Sequence, residues 1–570
     1  MEQNGVLLPK SKTFEDVLLA INPFGLWQLL ILALTVYCQI FMAMTNLVVV
    51  FYQITPDFTC QLPAPNNWTL EQIRALSAPL KEENEYEKCK IYDQNYTWLL
   101  AEGGYRTAQN RLNNLGIALN ETETRKCNQW TYDRTSMSET VVTQWDLVCD
   151  KMWMVEHGIL LNFLGFFFGS LISGFISDRV GRKVAMLGSL VITSVFGTAL
   201  SFVPTYTVFM IIRFIVVTGK ISAALANFCY TLESTTGKAR TWIGGLFFIP
   251  FACGYSLLAA LAYWTRDYRT LNLVCCAPCL LPVLLWCIIP ESPRWLLAQG
   301  RVEEARKVLE SAAKINGRPM PEIDLKEIAN GLKQHDKQEQ SKKESFFHIF
   351  KHKVLVFRTF TVWIIWTVNT MVYYGLALNV SSFSGNVFIN NALAGAPVEI
   401  PAQLMTAALL HLGRKPAAYL SLFFCGFCLS VVPWIPLDLN WLKVGVSMAG
   451  KLGVTISFSV IYVHTTELFP TVIRNTGLAT SSAVSRLGPM IAPYISGLSK
   501  LGKSYQWLPL LIFGGTAFLG ALLTFALPET VGRKMPEKLC DAVALGNKRP
   551  DPSHRSHSIV ELMDIDPTAK

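Results

Sequence analysis

A few ionisable and polar residues lie deep inside long apolar runs of this chain, where burying charge is costly and usually functional. Arg486 falls within the run 475–498, about 16 Å from its start at 1.5 Å of helical rise per residue, close to mid-membrane. Its planar guanidinium suits a carboxylate held through two parallel hydrogen bonds. Glu399, in Pro397-Val398-Glu399-Ile400-Pro401, lies about 21 Å from the end of its run near Gly413. A carboxylate there either holds an ammonium group or pairs with Lys451 or Arg486. Trp366 and Tyr373 are spaced to share one helix face, and Tyr374 adjoins them; aromatic faces favour cations and N-alkyl groups. Gln39 is a polar residue in mid-run, and Lys220 and Lys451 are further charges inside apolar runs. An arginine, a glutamate and an aromatic wall suit a zwitterion, with its carboxylate on Arg486 and its ammonium on Glu399 and the aromatics.

Composition says what must position these residues. Of 570 residues, 51% are hydrophobic and 16% charged, where a soluble protein has about 25% charged; mean hydropathy is +0.32. This excludes a cytosolic enzyme and a disordered chain and implies a polytopic membrane protein. Runs of spanning length fall near 26–51, 154–177, 184–203, 205–230, 240–263 and 270–289, then 358–383, 389–411, 416–436, 441–465, 475–498 and 507–528. The expected fold class is therefore an all-α membrane protein with twelve transmembrane helices. The expected organisation is a terminus 1–25, a first six-helix half 26–289 that includes a loop 52–153, a linker 290–357, a second half 358–528 and a tail 529–570. The first run is too long, and lacks the small-residue site, for a cleavable signal peptide.

The loop 52–153 carries the sequons Asn67-Trp-Thr69, Asn95-Tyr-Thr97 and Asn120-Glu-Thr122, with Cys60, Cys89, Cys127 and Cys149. Three sequons beside an even cysteine count predict a glycosylated extracellular domain with two disulfides, their connectivity open among three pairings. Asn379-Val-Ser381 matches too but lies inside a predicted helix, so it is expected to be unmodified. The basic linker and the basic turns at Arg179, Arg182, Lys183, Lys238, Arg240, Arg414, Lys415 and Arg474 share one side if both termini are cytoplasmic. The net charge of +9 therefore sits in cytoplasmic loops, and the expected partners are the bilayer and a small solute, not nucleic acid. No metal cluster, nucleotide loop or nucleophile–base pair stands out, so neither a cofactor nor an enzyme is expected.

Gly174-Phe-Ile-Ser-Asp178-Arg179-Val-Gly181-Arg182-Lys183 follows helix 2 and resembles the signature turn of the major facilitator superfamily. After helix 8 only Gly413-Arg414-Lys415 survives of it. Pro290-Glu291-Ser292-Pro293-Arg294-Trp295-Leu296-Leu297 and Pro528-Glu529-Thr530 follow helices 6 and 12, as the ends of an internal duplication would. With Trp145-Asp146-Leu147-Val148-Cys149, Tyr373-Tyr374-Gly375-Leu376 and Glu467-Leu468-Phe469-Pro470-Thr471-Val472-Ile473-Arg474, these segments resemble solute carrier family 22, the organic cation, carnitine and organic anion transporters, over nearly the whole chain.

The resemblance implies two six-helix halves around a central cavity, a plasma-membrane location and alternating access. It implies cytoplasmic latches in the outward-open state, made by Asp178 with Arg179 and Arg182, and by Glu467 with Arg474. In the family, Arg486 occupies a position similar to that of a substrate-pairing aspartate in cation transporters, where anion and carnitine transporters carry arginine. Trp366 and Tyr373 match cavity aromatics, and Gln39 is placed like an asparagine of the carnitine transporters. Gln403 stands where anion transporters have a lysine. The expected substrate is therefore an organic cation or a zwitterion of carnitine, betaine or amino-acid-derivative type. The alternatives are an organic anion transporter and a non-transporting receptor or scaffold of the same fold. Coupling to Na+ has a candidate in Gln39 with Glu467, and coupling to H+ in His157, Glu399 or Glu467.

Overall fold

A computed structural model describes residues 13–545, apart from 64–67, 81–85, 102–103, 115–122, 333–348, 350–351, 381–384, 437, 471–472, 502–504, 506, 534 and 537–538. Asn67 and Asn120 lie outside the described residues.

The apolar runs are helices, as a chain with no water to satisfy its backbone requires. They are α1 (Leu26–Tyr52), α2 (Trp153–Val180), α3 (Arg182–Leu200), α4 (Tyr206–Glu233), α5 (Gly237–Leu246, then Ile249–Thr265) and α6 (Tyr268–Leu284). The second set is α7 (Lys353–Asn379), α8 (Val387–Ala394, then Ala396–Leu409), α9 (Arg414–Val431), α10 (Asn440–Leu468), α11 (Arg474–Ser485, then Leu487–Gly497) and α12 (Leu508–Thr524). Among the described residues, eight helices are long and apolar enough to span a bilayer, while α6 and α12 are shorter. α5, α8 and α11 were expected to be continuous and are broken, α5 just before Pro250.

Each break has a local cause. Gly395 interrupts α8 where its backbone meets Ser256 of α5, and Pro397 starts the next segment. In α11, Pro489 has no N–H to give to the carbonyl of Ser485, four residues back. That carbonyl instead accepts from Thr370 Oγ1 of α7 at 2.6 Å. Pro282 likewise frees the carbonyl of Pro278, which accepts from Tyr37 of α1 at 2.8 Å.

The loop between α1 and α2 departs from all-α structure. Two short antiparallel ladders pair Phe58–Cys60 with Trp130–Tyr132 and Lys90–Tyr92 with Thr124–Lys126. Disulfides join Cys60 to Cys127 and Cys89 to Cys149, which selects one of the three pairings. The domain is fastened to the first half: Ser138 N–H donates to the Arg266 carbonyl (2.7 Å), Tyr268 N–H to Glu139 (3.2 Å), and Trp145 Nε1 to Pro204 (3.1 Å). Between this domain and the helices lies a cavity of about 1060 Å3, lined by Cys89 and Cys149 and, from the second half, by Leu378, Asn379, Pro493 and Ser496. Asn95 is exposed; Asn379 is buried at the end of α7.

At the opposite end, a helix not expected from the sequence, Phe14–Ile21, is closed by a Thr13–Asp16 capping box. It packs with the linker helices Pro293–Ala298 and Val302–Ile315 against Trp27 and Ile31. The Asn316 side chain caps the start of α1 through Trp27 N–H at 2.9 Å. The tail helix Leu539–Ala544 is tied to the second half, where Arg358 donates to the Ala542 carbonyl at 2.6 Å.

Contacts that join the halves lie toward the disulfide-bonded domain. Ser256 Oγ of α5 donates to the Ala392 carbonyl (2.7 Å) and accepts from Ala396 N–H (2.8 Å). Phe51 stacks on Phe388, Trp153 on Tyr494, and Phe163 meets Tyr374 edge-on at 4.8 Å. The signature turns at the other end are held within their own halves.

Candidate substrate cavity and cytoplasmic gates

Three elements bring the central charges together. α10 carries Lys451, α8 carries Glu399 just past its break, and α7 carries Tyr373. Lys451 Nζ, 1% exposed, lies 3.1 Å from Glu399 Oε1, and the same oxygen accepts from Tyr373 Oη at 2.5 Å. Lys451 also donates to the Ala394 carbonyl that the α8 break leaves free, and it lies over the Tyr255 ring of the first half at 4.4 Å. Of the two partners the sequence left open for Glu399, the structure selects Lys451. A buried ion pair with its remaining sites hydrogen-bonded is self-neutralising.

Arg486 stands apart from that pair. It occupies the junction of the two α11 segments, with its guanidinium 4.4 Å from the Phe166 ring of α2 and its Nε unpartnered. Among the described residues no carboxylate pairs with it. Arg486 thus sits where both halves meet.

Trp366 and Tyr373 do share a face, since both touch Phe458, at 5.9 and 6.3 Å between ring centroids. Trp366 is fully buried and donates through Nε1 to Thr465 Oγ1 at 2.9 Å, so it packs α7 on α10. Gln39 is not brought to this cluster. It lines a separate small cavity inside the first half, with Lys220. Glu467 is engaged elsewhere, so Gln39 and Glu467 do not form a joint cation site. His157 stacks edge-on against Tyr494 at 5.8 Å.

The candidate gate pairs repeat between halves. Arg182 contacts Asp178 at 3.0 Å and Glu233 of α4 at 3.0 Å, and Ser292 Oγ donates to Glu233 at 2.5 Å. Arg179 lies over Phe175 instead of pairing with Asp178. Arg414 contacts Glu467 of α10 at 2.9 Å, and Thr530 Oγ1 donates to Glu467 at 2.5 Å. In this conformation Glu467 is not joined to Arg474, the partner expected for it in the outward-open state. Among the described residues Arg474 reaches the Phe469 carbonyl (3.4 Å) and has an unpartnered Nη2. Glu233 was missed, although its place at the end of α4 repeats that of Glu467 at the end of α10.

The two glutamates of the duplicated segments also have one role. Glu291 accepts from Lys183 N–H at 2.9 Å, and Glu529 from Arg414 and Lys415 N–H at 3.0 Å each, so each carboxylate sits on a helix N-terminus. Gly181 and Gly413 have φ of 108° and 125°, and a Cβ on either would strike the carboxylate at 2.3 or 2.8 Å. Burial raises the Glu529 pKa, but backbone N–H donors from Val531, Arg414, Lys415 and Thr530 outweigh it and hold the carboxyl below its ordinary value.

These features define a multi-pass membrane transporter. The family model for sugar (and other) transporters matches residues 122–538. The chain is similar to the organic cation transporter protein of Drosophila melanogaster, at 35% identity over 94% of this chain and 95% of that one. It is 32% identical to solute carrier family 22 member 21 of Mus musculus, over 92% of each. It is also 32% identical to organic cation/carnitine transporter 2 of Homo sapiens, over 95% of this chain and 96% of that one. The chain belongs to solute carrier family 22. Among solved structures it resembles the inward-open xylose transporter XylE of E. coli, with a TM-score of 0.52 and 18% identity, covering 67% of this chain and 88% of that one. That likeness concerns the fold alone.

Proposed function

We infer that this chain moves small organic cations or zwitterions of the carnitine or betaine type across the plasma membrane, with both termini cytoplasmic. The relatives named for organic cations and carnitine support the substrate class. The observation that carries the zwitterion reading is Arg486: a guanidinium at the meeting of the halves, without a carboxylate partner among the described residues and stacked on Phe166. It offers a substrate carboxylate two parallel hydrogen bonds. The substrate ammonium is received by Tyr373, Tyr374 and Glu399, in competition with Lys451.

Transport proceeds by alternating access. The halves touch near the disulfide-bonded domain, and rocking about the central residues would part those contacts and bring the gate turns together. A second reading has one observation in its favour. With Glu399 neutralised by Lys451, the uncompensated charge at the centre is cationic, which suits an organic anion.

One experiment separates them. Cells with verified surface delivery are given labelled carnitine, another betaine, a quaternary ammonium dye and an aromatic carboxylate, with sodium and pH varied. Betaine uptake lost on Arg486→Ala, with dye uptake retained, supports the zwitterion reading and identifies any coupled ion. Uptake of the carboxylate alone moves the protein to the anion reading. No uptake of any probe would sink the transport reading for these substrate classes.

A further inference from the structure

The first half contains two buried cations that the transport site does not use. Arg213 and Lys220 lie two turns apart on α4, on one face, and are 3% and 2% exposed. Both reach the Thr45 carbonyl of α1, Arg213 Nη2 at 3.4 Å and Lys220 Nζ at 3.2 Å; Lys220 also donates to Asn46 Oδ1 at 3.0 Å. No carboxylate pairs with either among the described residues. Two like charges converge on neutral oxygens, an arrangement that burial penalises unless a counter-charge is present.

Donors remain unspent around them. Arg213 Nη1 and Asn227 Nδ2 are buried and unpartnered, and a lysine ammonium has three N–H groups, of which two are used here. Lys220, Asn227 and Gln39 line a small cavity of about 20 Å3. That volume holds one particle the size of a water molecule. The other walls are mostly apolar, with Met186, Leu190 and Cys279 among them, together with the hydroxyls of Tyr37, Thr45 and Thr193, which donate to backbone carbonyls; no carboxylate lines it among the described residues.

We propose that this cavity between α1 and α4 is a halide site, in which chloride accepts from Lys220 and Asn227 and supplies the missing negative charge. The volume excludes a carboxylate-bearing substrate, and the donor set excludes a metal cation. The site is independent of the substrate reading, because Arg486 and Glu399 do not line it.

The test uses purified full-length protein in detergent. Its unfolding temperature is followed as chloride replaces gluconate at constant ionic strength, then repeated with bromide. A saturable rise with chloride and bromide is expected, because an ion bound only by the folded state stabilises it by mass action. Lys220→Met should lose that rise. Asn46→Asp provides a second arm that keeps the proposal testable if Lys220→Met does not fold: it sets a carboxylate beside Lys220 Nζ. Asn46→Asp should unfold at a higher temperature than wild type in gluconate and show no chloride response. The proposal is overturned if wild type ignores chloride, if gluconate serves equally well, or if both variants keep the full response. A bromide anomalous peak beside Lys220 would support it directly.

Discussion

Lys451 on α10 holds Glu399 on α8 at 3.1 Å, and Tyr373 on α7 donates to the same carboxylate oxygen. The three helices are thereby joined at one atom, just past the α8 break. Removing one partner leaves a buried charge uncompensated. Lys451→Ala should cost about 3–5 kcal/mol of stability, and the double variant Lys451→Met with Glu399→Gln should recover most of it. Unfolding temperatures of the three proteins in one detergent measure this; equal losses in the single and double variants would refute the pairing.

Arg486 is expected to act on substrate carboxylate and not on folding. Its Nε has no partner to lose. Charge-assisted hydrogen bonds are worth about 1.5–3 kcal/mol, so Arg486→Ala should weaken carnitine uptake by about ten- to a hundredfold. Arg486→Lys should restore only part, because a point charge cannot make the parallel pair. Initial rates at equal surface expression check the order wild type, Lys, Ala.

The gate pairs make a contrast of positions. Glu467→Gln leaves Arg414 without the carboxylate that holds it at 2.9 Å, and Glu233→Gln leaves Arg182 with Asp178 alone. Both should lower maximal uptake rate while changing half-saturation little. Arg474→Ala should do less, since among the described residues it bonds the Phe469 carbonyl and no carboxylate. Asp178→Asn should affect turnover more than stability: its side chain is 73% exposed, and exposed pairs contribute about 0–1 kcal/mol. Normal transport by Asp178→Asn would remove it from the gate.

Acid should loosen the α9 end in a defined sense. Glu529 has a folded pKa below its ordinary 4.5. A depressed carboxyl adds stability that is complete above the unfolded pKa and disappears as pH falls through the folded one. Glu529→Gln should therefore be less stable than wild type at neutral pH and converge with it in acid. Unfolding temperature against pH for the two proteins reads this; parallel curves would contradict it.

The sequence revealed what the bilayer enforces. Apolar runs became helices because hydrocarbon leaves the backbone no other partner, and Arg486 falls where the two segments of α11 meet. Pairings between distant segments were less legible. Arg474 lies close to Glu467 in sequence, yet the approach of α9 to α10 gives Glu467 to Arg414. The duplication held the missing clue: Arg182, Glu233 and Ser292 recur as Arg414, Glu467 and Thr530. The breaks were also written in the chain, as Gly395 before Pro397 and as Pro489. A spanning-length count overlooks them because hydropathy does not weigh a lost N–H. Gln39 looked like a cavity residue from its depth, but depth does not say which side of α1 it occupies.

The disulfide-bonded domain has its hydrogen-bond anchors at Pro204, Arg266 and Tyr268, all in the first half, and it overhangs Pro493 and Ser496 of the second across the large cavity. On the proposed alternating access it is a lever arm fixed to one of the two moving bodies. A dye on its surface and another at the outer end of α11 would ride on opposite bodies, and their separation would trace the transport cycle in a living cell. An antibody fragment that wedged into the overhang would act as a brake, stopping the cycle without touching the centre where Lys451, Glu399 and Arg486 lie.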